Sequence, residues 1–175
     1  MAGTDSAKVP RVRPGLAFLR AHPAHLIALG FGAGLIRPGP GTWGTALAWL
    51  LHWAARSTLG LAWPALALIG AAGLGLGTWA AARTGAALGE EDAGEIVVDE
   101  MVAFWWVLIL LPRGGHPLLL QAVAFLLFRG FDILKPSPIS WFERRWPNAV
   151  GVMLDDLMAG AYTVLVIALW VLPER

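Results

Sequence analysis

The sequence predicts an all-α, polytopic membrane helical bundle with a short interfacial or re-entrant helix near its N-terminus, and three observations carry that prediction. The 175 residues are 57% hydrophobic and only 14% charged, far from the balance of a soluble domain. The apolar residues fall in successive runs, ending with GVMLDDLMAGAYTVLVIALWVL from Gly151 to Leu172. The ten tryptophans suit the two membrane–water interfaces, where an amphipathic ring has both an apolar and a wet neighbour.

Residues 1–20 form a basic arm carrying Lys8, Arg11, Arg13 and Arg20 with no apolar core, so a cleavable signal peptide is not expected. Residues 21–175 form a single membrane-embedded domain without internal repeats. Ala24 to Ile36 is too short to cross about 30 Å of hydrocarbon at 1.5 Å per residue, which makes it interfacial or re-entrant. Arg37 to Thr42, RPGPGT, is expected to be a tight loop, because its two prolines and two glycines oppose a continuous helix. Trp43 to Trp53, with its extension to Trp63, and Pro64 to Ala82 read as a helical pair turning near Arg56 to Gly60. Gly70, Gly73, Gly75 and Gly77 permit close helix packing. The acidic stretch from Glu90 to Glu100 leads into MVAFWWVLILLP, which runs out to a turn at Pro112 to Gly115. Leu118 to Phe131 returns, a polar loop covers Lys135 to Asn148, and the final run crosses once more.

If the runs alternate in direction, Asp99, Glu100, Asp132, Asp155, Asp156 and the loop at Arg37 to Thr42 gather at one face. Arg129, Lys135, Arg144 and Arg145 join them, whereas the opposite turns show chiefly Arg56 and Arg113, so the positive-inside rule makes the acidic face cytoplasmic.

Those acids need an explanation, because a carboxylate at the centre of a membrane helix costs about 2.5 to 3.5 kcal/mol on insertion scales. On a helix, Asp92, Glu95 and Asp99 would share one stripe with Glu100 beside it. Joined by Asp132 and the Asp155/Asp156 pair, they make a site whose mutual repulsion calls for protons or cations. Oxygen ligands without cysteine or clustered histidine suit magnesium, which commonly bridges carboxylates to a substrate phosphate. Simpler roles stand beside this one. Asp155 and Asp156 near a helix start would complement its dipole, and Arg129 with Asp132 at i, i+3 would form an ion pair. Neither explains why the acids converge. The histidines His22, His25, His52 and His116 lack metal-ligand spacing and read as interfacial or packing residues. No cysteine is present, which excludes a cysteine nucleophile and a thiolate metal site, and no basic tract suggests a nucleic-acid partner.

Three segments together resemble the phosphatidylglycerophosphatase A family: GFGAGLIRPGPGTWGT, Gly30 to Thr45; EIVVDEMVAFW, Glu95 to Trp105; and FRGFDILKPSPISWFERR followed by GVMLDDLMAG, between Phe128 and Gly160. The resemblance implies magnesium-dependent hydrolysis of phosphatidylglycerophosphate to phosphatidylglycerol and inorganic phosphate at the cytoplasmic face of the bacterial inner membrane. The family's acidic positions fall on Glu95, Asp99, Glu100, Asp132, Asp155 and Asp156 as metal ligands, and its Lys-Pro step on Lys135 and Pro136. Its Pro-Gly-Thr loop falls on Pro40, Gly41 and Thr42, while Val98 and Ala103 stand where the family more often has an aromatic and a glycine.

On this reading Asp99, Glu100, Asp132, Asp155 and Asp156 are the candidate catalytic carboxylates, holding one or two magnesium ions that orient a water. Pro40, Gly41, Thr42, Arg129 and Lys135 bind the substrate head group, whose acyl chains stay in the lipid bilayer. The general base is unassigned, and a covalent aspartyl phosphate is an open alternative. Two other functions compete: a phosphatase for another membrane lipid phosphate, and a cation or proton carrier. A carrier would place acids at several depths of the membrane.

Overall fold

The computed structural model describes residues 11–112, 117–137, 145–146 and 148–171. Residues 1–10 of the basic arm, Arg113 and His116 in the turn, and Arg144 lie outside the described residues. Every regular element among the described residues is helical. Two short helices, α1 (Leu16–Ala21) and α2 (Pro23–Ala28), precede a tight 3₁₀ segment at Gly30–Leu35. Five longer helices follow: α3 (Pro40–Ser57), α4 (Trp63–Leu88), α5 (Val98–Leu110), α6 (Pro117–Leu134) and α7 (Ala149–Val171).

The ends of these helices follow from local chemistry. Pro23 and Pro40 each sit in a first turn, where the missing N–H has no helical partner to lose. The His22 Nδ1 accepts from the Ala24 N–H at 3.0 Å and caps α2. At the start of α7 the Asn148 Oδ1 accepts from the N–H groups of Val150 and Gly151 at 3.0 and 3.1 Å. The expected loop at Arg37 to Thr42 is therefore shorter than the sequence suggests. Gly39 turns through the left-handed region at φ 68°, and α3 starts at Pro40, so Pro40, Gly41 and Thr42 are helical.

Among the described residues, three helices are long and apolar enough to cross a bilayer: α4, α6 and α7. At 1.5 Å per residue the 26 residues of α4 span about 39 Å. Helix α5 lies at the centre, packed chiefly against α7, α3 and α4, while α6 closes against α7. Its faces are filled by Phe104 and Phe128, both fully buried, with Ala124, Ala159 and Ile167 around them. A second cluster joins Ala24, Ala28, Ala80, Ala81 and Leu88 to Val98 and Met153, so α2 docks on α4 and α1 packs against α2. Small residues bring α4 close to α5: a Cβ on Gly70 would meet Trp106 at 2.9 Å, and one on Gly77 would meet Val98 at 3.1 Å. Gly73 faces Val102, but Gly75 points into open space and plays no such part. Leu68, Leu126 and Leu169, all more than half exposed, face outward, where hydrocarbon would cover them. Val98 and Ala103 are both buried, against α4 and α7 respectively.

Candidate active site

The start of α5, the start of α3, the end of α6 and the second turn of α7 meet at one end of the bundle. One carboxylate oxygen each from Asp99, Glu100 and Asp156 lies within 4.8 Å of the other two. Asp99 and Asp156 are 4% and 5% exposed, so the cluster is walled by protein. The expected dipole role for Asp155 and Asp156 does not hold, because α7 begins at Ala149 and its first turn carries no acid. Both are buried nearly two turns further in, pointing into the bundle.

The expected acidic stripe is also different. Helix α5 starts only at Val98, so Asp92 and Glu95 belong to the preceding irregular segment and share no helical face with Asp99. Glu95 is buried and held by two arginines, Arg37 at 2.8 Å and Arg11 at 3.3 Å, with Arg11 also reaching Glu90 at 2.7 Å. These ion pairs tie the basic arm and the approach to α3 onto the segment before α5. Sequence reading missed Arg11 and Arg37 as partners of Glu95, because ion pairs separated by 84 and 58 residues leave no local pattern.

Two cations lie among the remaining acids. The Arg129 guanidinium reaches Glu100 at 3.5 Å and makes a closer ion pair with Asp132, and all three side chains are largely buried. Asp132 is close enough to Asp156 for the two carboxylates to interact. The Lys135 ammonium is 3.8 Å from Asp155. The i, i+3 pair of Arg129 and Asp132 is thus real, yet it forms one wall of the cluster instead of an isolated helix-end contact.

Pro40, Gly41 and Thr42 reach the site as the first turn of α3. Gly41 is required by close approach: a Cβ there would collide with Glu100 Oε1 and come 3.0 Å from both terminal nitrogens of Arg129. Thr45 Oγ1 donates back to the Gly41 carbonyl at 2.8 Å and steadies that turn. The helix start points its positive dipole end at the acids and at any anion bound beside them. Asp99 Oδ1 accepts from the Glu100 N–H at 3.0 Å, while the buried Glu100 Oε2 has no hydrogen-bond partner among the described residues. A buried carboxylate oxygen without a donor, next to two more carboxylates, is the chemistry of a hard divalent cation site, so the residues present fit magnesium.

Buried acids converging at one end of a bundle whose helices are long and apolar enough to cross a bilayer have the chemistry of a site for phosphate or cations. Comparison with known proteins narrows that class. The family model of phosphatidylglycerophosphatase A matches residues 26–171, and the chain belongs to that family. It is 41% identical over 150 residues to a phosphatidylglycerophosphatase A of Haemophilus influenzae, covering 83% of this chain and 87% of the relative. It is 36% identical over 140 residues to the Escherichia coli protein of the same name, covering 80% and 78%. A provisionally named phosphatidylinositol-3-phosphatase of Bacteroides thetaiotaomicron is 38% identical over 152 residues, covering 84% and 94%. No solved structure matches the chain.

Proposed function

We propose that the chain hydrolyses phosphatidylglycerophosphate to phosphatidylglycerol and inorganic phosphate, with magnesium, at the cytoplasmic face of the bacterial inner membrane. The observation that carries this reading is the convergence of the Asp99, Glu100 and Asp156 oxygens at a buried helix junction that also holds Arg129. The names of two relatives supply the substrate. The cytoplasmic assignment rests on Arg129, Lys135, Arg144 and Arg145 clustering in sequence beside the acidic end, against Arg56 and Arg113 at the other turns.

Asp99, Glu100 and Asp156 would hold the metal, with Asp132 and Asp155 beside them. Bound magnesium supplies a Lewis acid for the phosphoryl oxygens and lowers the pKa of water. The chain's own groups do the rest. The Arg129 guanidinium and the Lys135 ammonium offset charge on the phosphoryl oxygens as the ester bond breaks. Gly41, lacking a Cβ, lets Glu100 and Arg129 pack directly against the first turn of α3, whose N-terminal dipole faces the head group. Buried walls exclude bulk water, which strengthens each of these interactions. The acyl chains remain in the bilayer.

The test is phosphate release by the purified protein from phosphatidylglycerophosphate, phosphatidic acid and a phosphoinositide, each with magnesium and with chelator. Preferential release from phosphatidylglycerophosphate that stops with chelator and returns with magnesium supports the proposal. Equal release in chelator removes the metal, and a clear preference for another lipid phosphate, the direction in which the Bacteroides relative's name points, removes the substrate.

A further inference from the structure

A cavity with polar groups on its wall lies at the end of the bundle away from the acids. It has a volume of about 270 Å³ and is bordered by His52, Arg56, Gln121, Trp53 and Trp63 over an apolar floor that includes Leu66 and Leu108. Three helices independently set its distance from the acidic site. α3 places Gly41 of its first turn beside Glu100 and carries His52 and Arg56 three to four turns later. α5 starts with Asp99 and Glu100 and reaches the cavity with Leu108, Ile109 and Leu111. α6 runs the other way, with Gln121 at the cavity and Arg129 and Asp132 at the acids. A rise of 1.5 Å per residue puts about 17 Å between Gly41 and His52 along α3, so the two places share helices without sharing a site.

Two polar groups on the cavity wall, Arg56 and Gln121, offer donors. Arg56 gives one N–H to the Leu61 carbonyl at 3.0 Å and keeps the rest of its guanidinium. The Gln121 Oε1 accepts from the Trp49 indole at 2.6 Å, which fixes the amide and leaves its NH₂ as donor. His52 is 7% exposed, and its Nε2 has no hydrogen-bond partner among the described residues. Among the described residues no carboxylate lines the cavity, which disfavours a cation. Trp53 and Trp63, both more than half exposed, flank it as interface residues do. An anionic group carried on an apolar body meets all these conditions: the anion faces the guanidinium and amide, and the body lies on the leucines.

We propose that this cavity is a binding site for the phosphate head group of an anionic phospholipid in the leaflet opposite the acidic site. Inorganic phosphate shares the head-group chemistry but has no apolar part, so the two sources are separable. The experiment is native mass spectrometry of the full chain released from detergent with short-chain phosphatidylglycerol, short-chain phosphatidylcholine or inorganic phosphate. It compares the wild type with Arg56→Gln and Gln121→Glu. Gln121→Glu keeps the acceptor for Trp49 and places a negative charge in the cavity. Arg56→Gln removes the charge at an exposed position. The expected result is a saturable phosphatidylglycerol adduct, weaker by tenfold or more in both variants, absent with phosphatidylcholine, with phosphate release unchanged. Thermal unfolding without lipid checks that each variant is folded, and either folded variant alone decides the matter. Equal adducts in wild type and variants, equal uptake of phosphatidylcholine, or binding of inorganic phosphate alone would each overturn the proposal.

Discussion

The two ends of the helix trio α3, α5 and α6 make an instructive contrast. At one end Gly41 admits no side chain, and Glu100, Arg129 and Asp132 are pressed together behind the start of α3. At the other, the same helices stand apart around a cavity of about 270 Å³ edged by exposed tryptophans. Charge divides the same way: the closed end collects carboxylates and the open end donors. Tight packing raises the cost of every unmatched charge, because water is excluded and the local dielectric falls. Acids are therefore worth burying only where something compensates them. The contrast is one of chemistry held rigid against surface left accessible.

The largest break in that contrast should come from Asp156→Asn, which keeps the size of the side chain and removes one of the three converging carboxylates. Phosphate release is expected to fall on the order of 10²-fold or more, the scale seen when one group stabilising transition-state charge is lost. Thermal unfolding should show the variant no less stable than the wild type, since removing a charge relieves repulsion among the acids. A variant with full activity would take Asp156 out of the site.

Next is Gly41→Ala. The added methyl must displace Glu100 or Arg129, and overpacking of this kind costs about 1 to 3 kcal/mol. Denaturation and phosphate release measured together should both decline; unchanged stability would mean that the start of α3 has slack. Glu95→Gln tests the outer brace. It weakens the hold on Arg11 and Arg37, which are 55% and 69% exposed, so the expected loss is about 1 kcal/mol. Faster proteolysis of the basic arm should accompany it, and an arm as resistant as before would count against this tether. The smallest effect, and of opposite sign, belongs to Gly75→Ala in α4, where nothing lies within 4 Å of the new methyl. Removing a glycine from a helix interior should stabilise the protein by about 0.5 to 1 kcal/mol with activity unchanged.

Much of this was legible beforehand. Successive apolar runs in a chain too hydrophobic for a soluble domain announced helices, and prolines with helix-breaking glycines marked where they turn. Alternation of direction then sufficed to put Asp99, Glu100, Asp132 and Asp156 at one end. What escaped was finer. Pro40 reads as a loop residue in isolation but is also well suited to a first helical turn, and only the path of the chain through Gly39 decides between them. Glu95 has the look of one more ligand in a row of acids, whereas its partners lie on segments far away in sequence. The tryptophans and His52 gave no hint of a cavity, because a void is a property of how helices diverge.

The sequence by itself determined the all-helical class, the order of the elements, and the end of the bundle at which the acids lie. These depend on the composition and periodicity of contiguous residues, where each amino acid acts on its near neighbours. Only the tertiary structure decided which carboxylates share a centre, that Arg129 is built into it, that Gly41 is needed for clearance, and that Glu95 serves the two arginines. Those outcomes depend on distances between side chains tens of residues apart, which are fixed when helices pack face to face and are written in no single stretch of the chain.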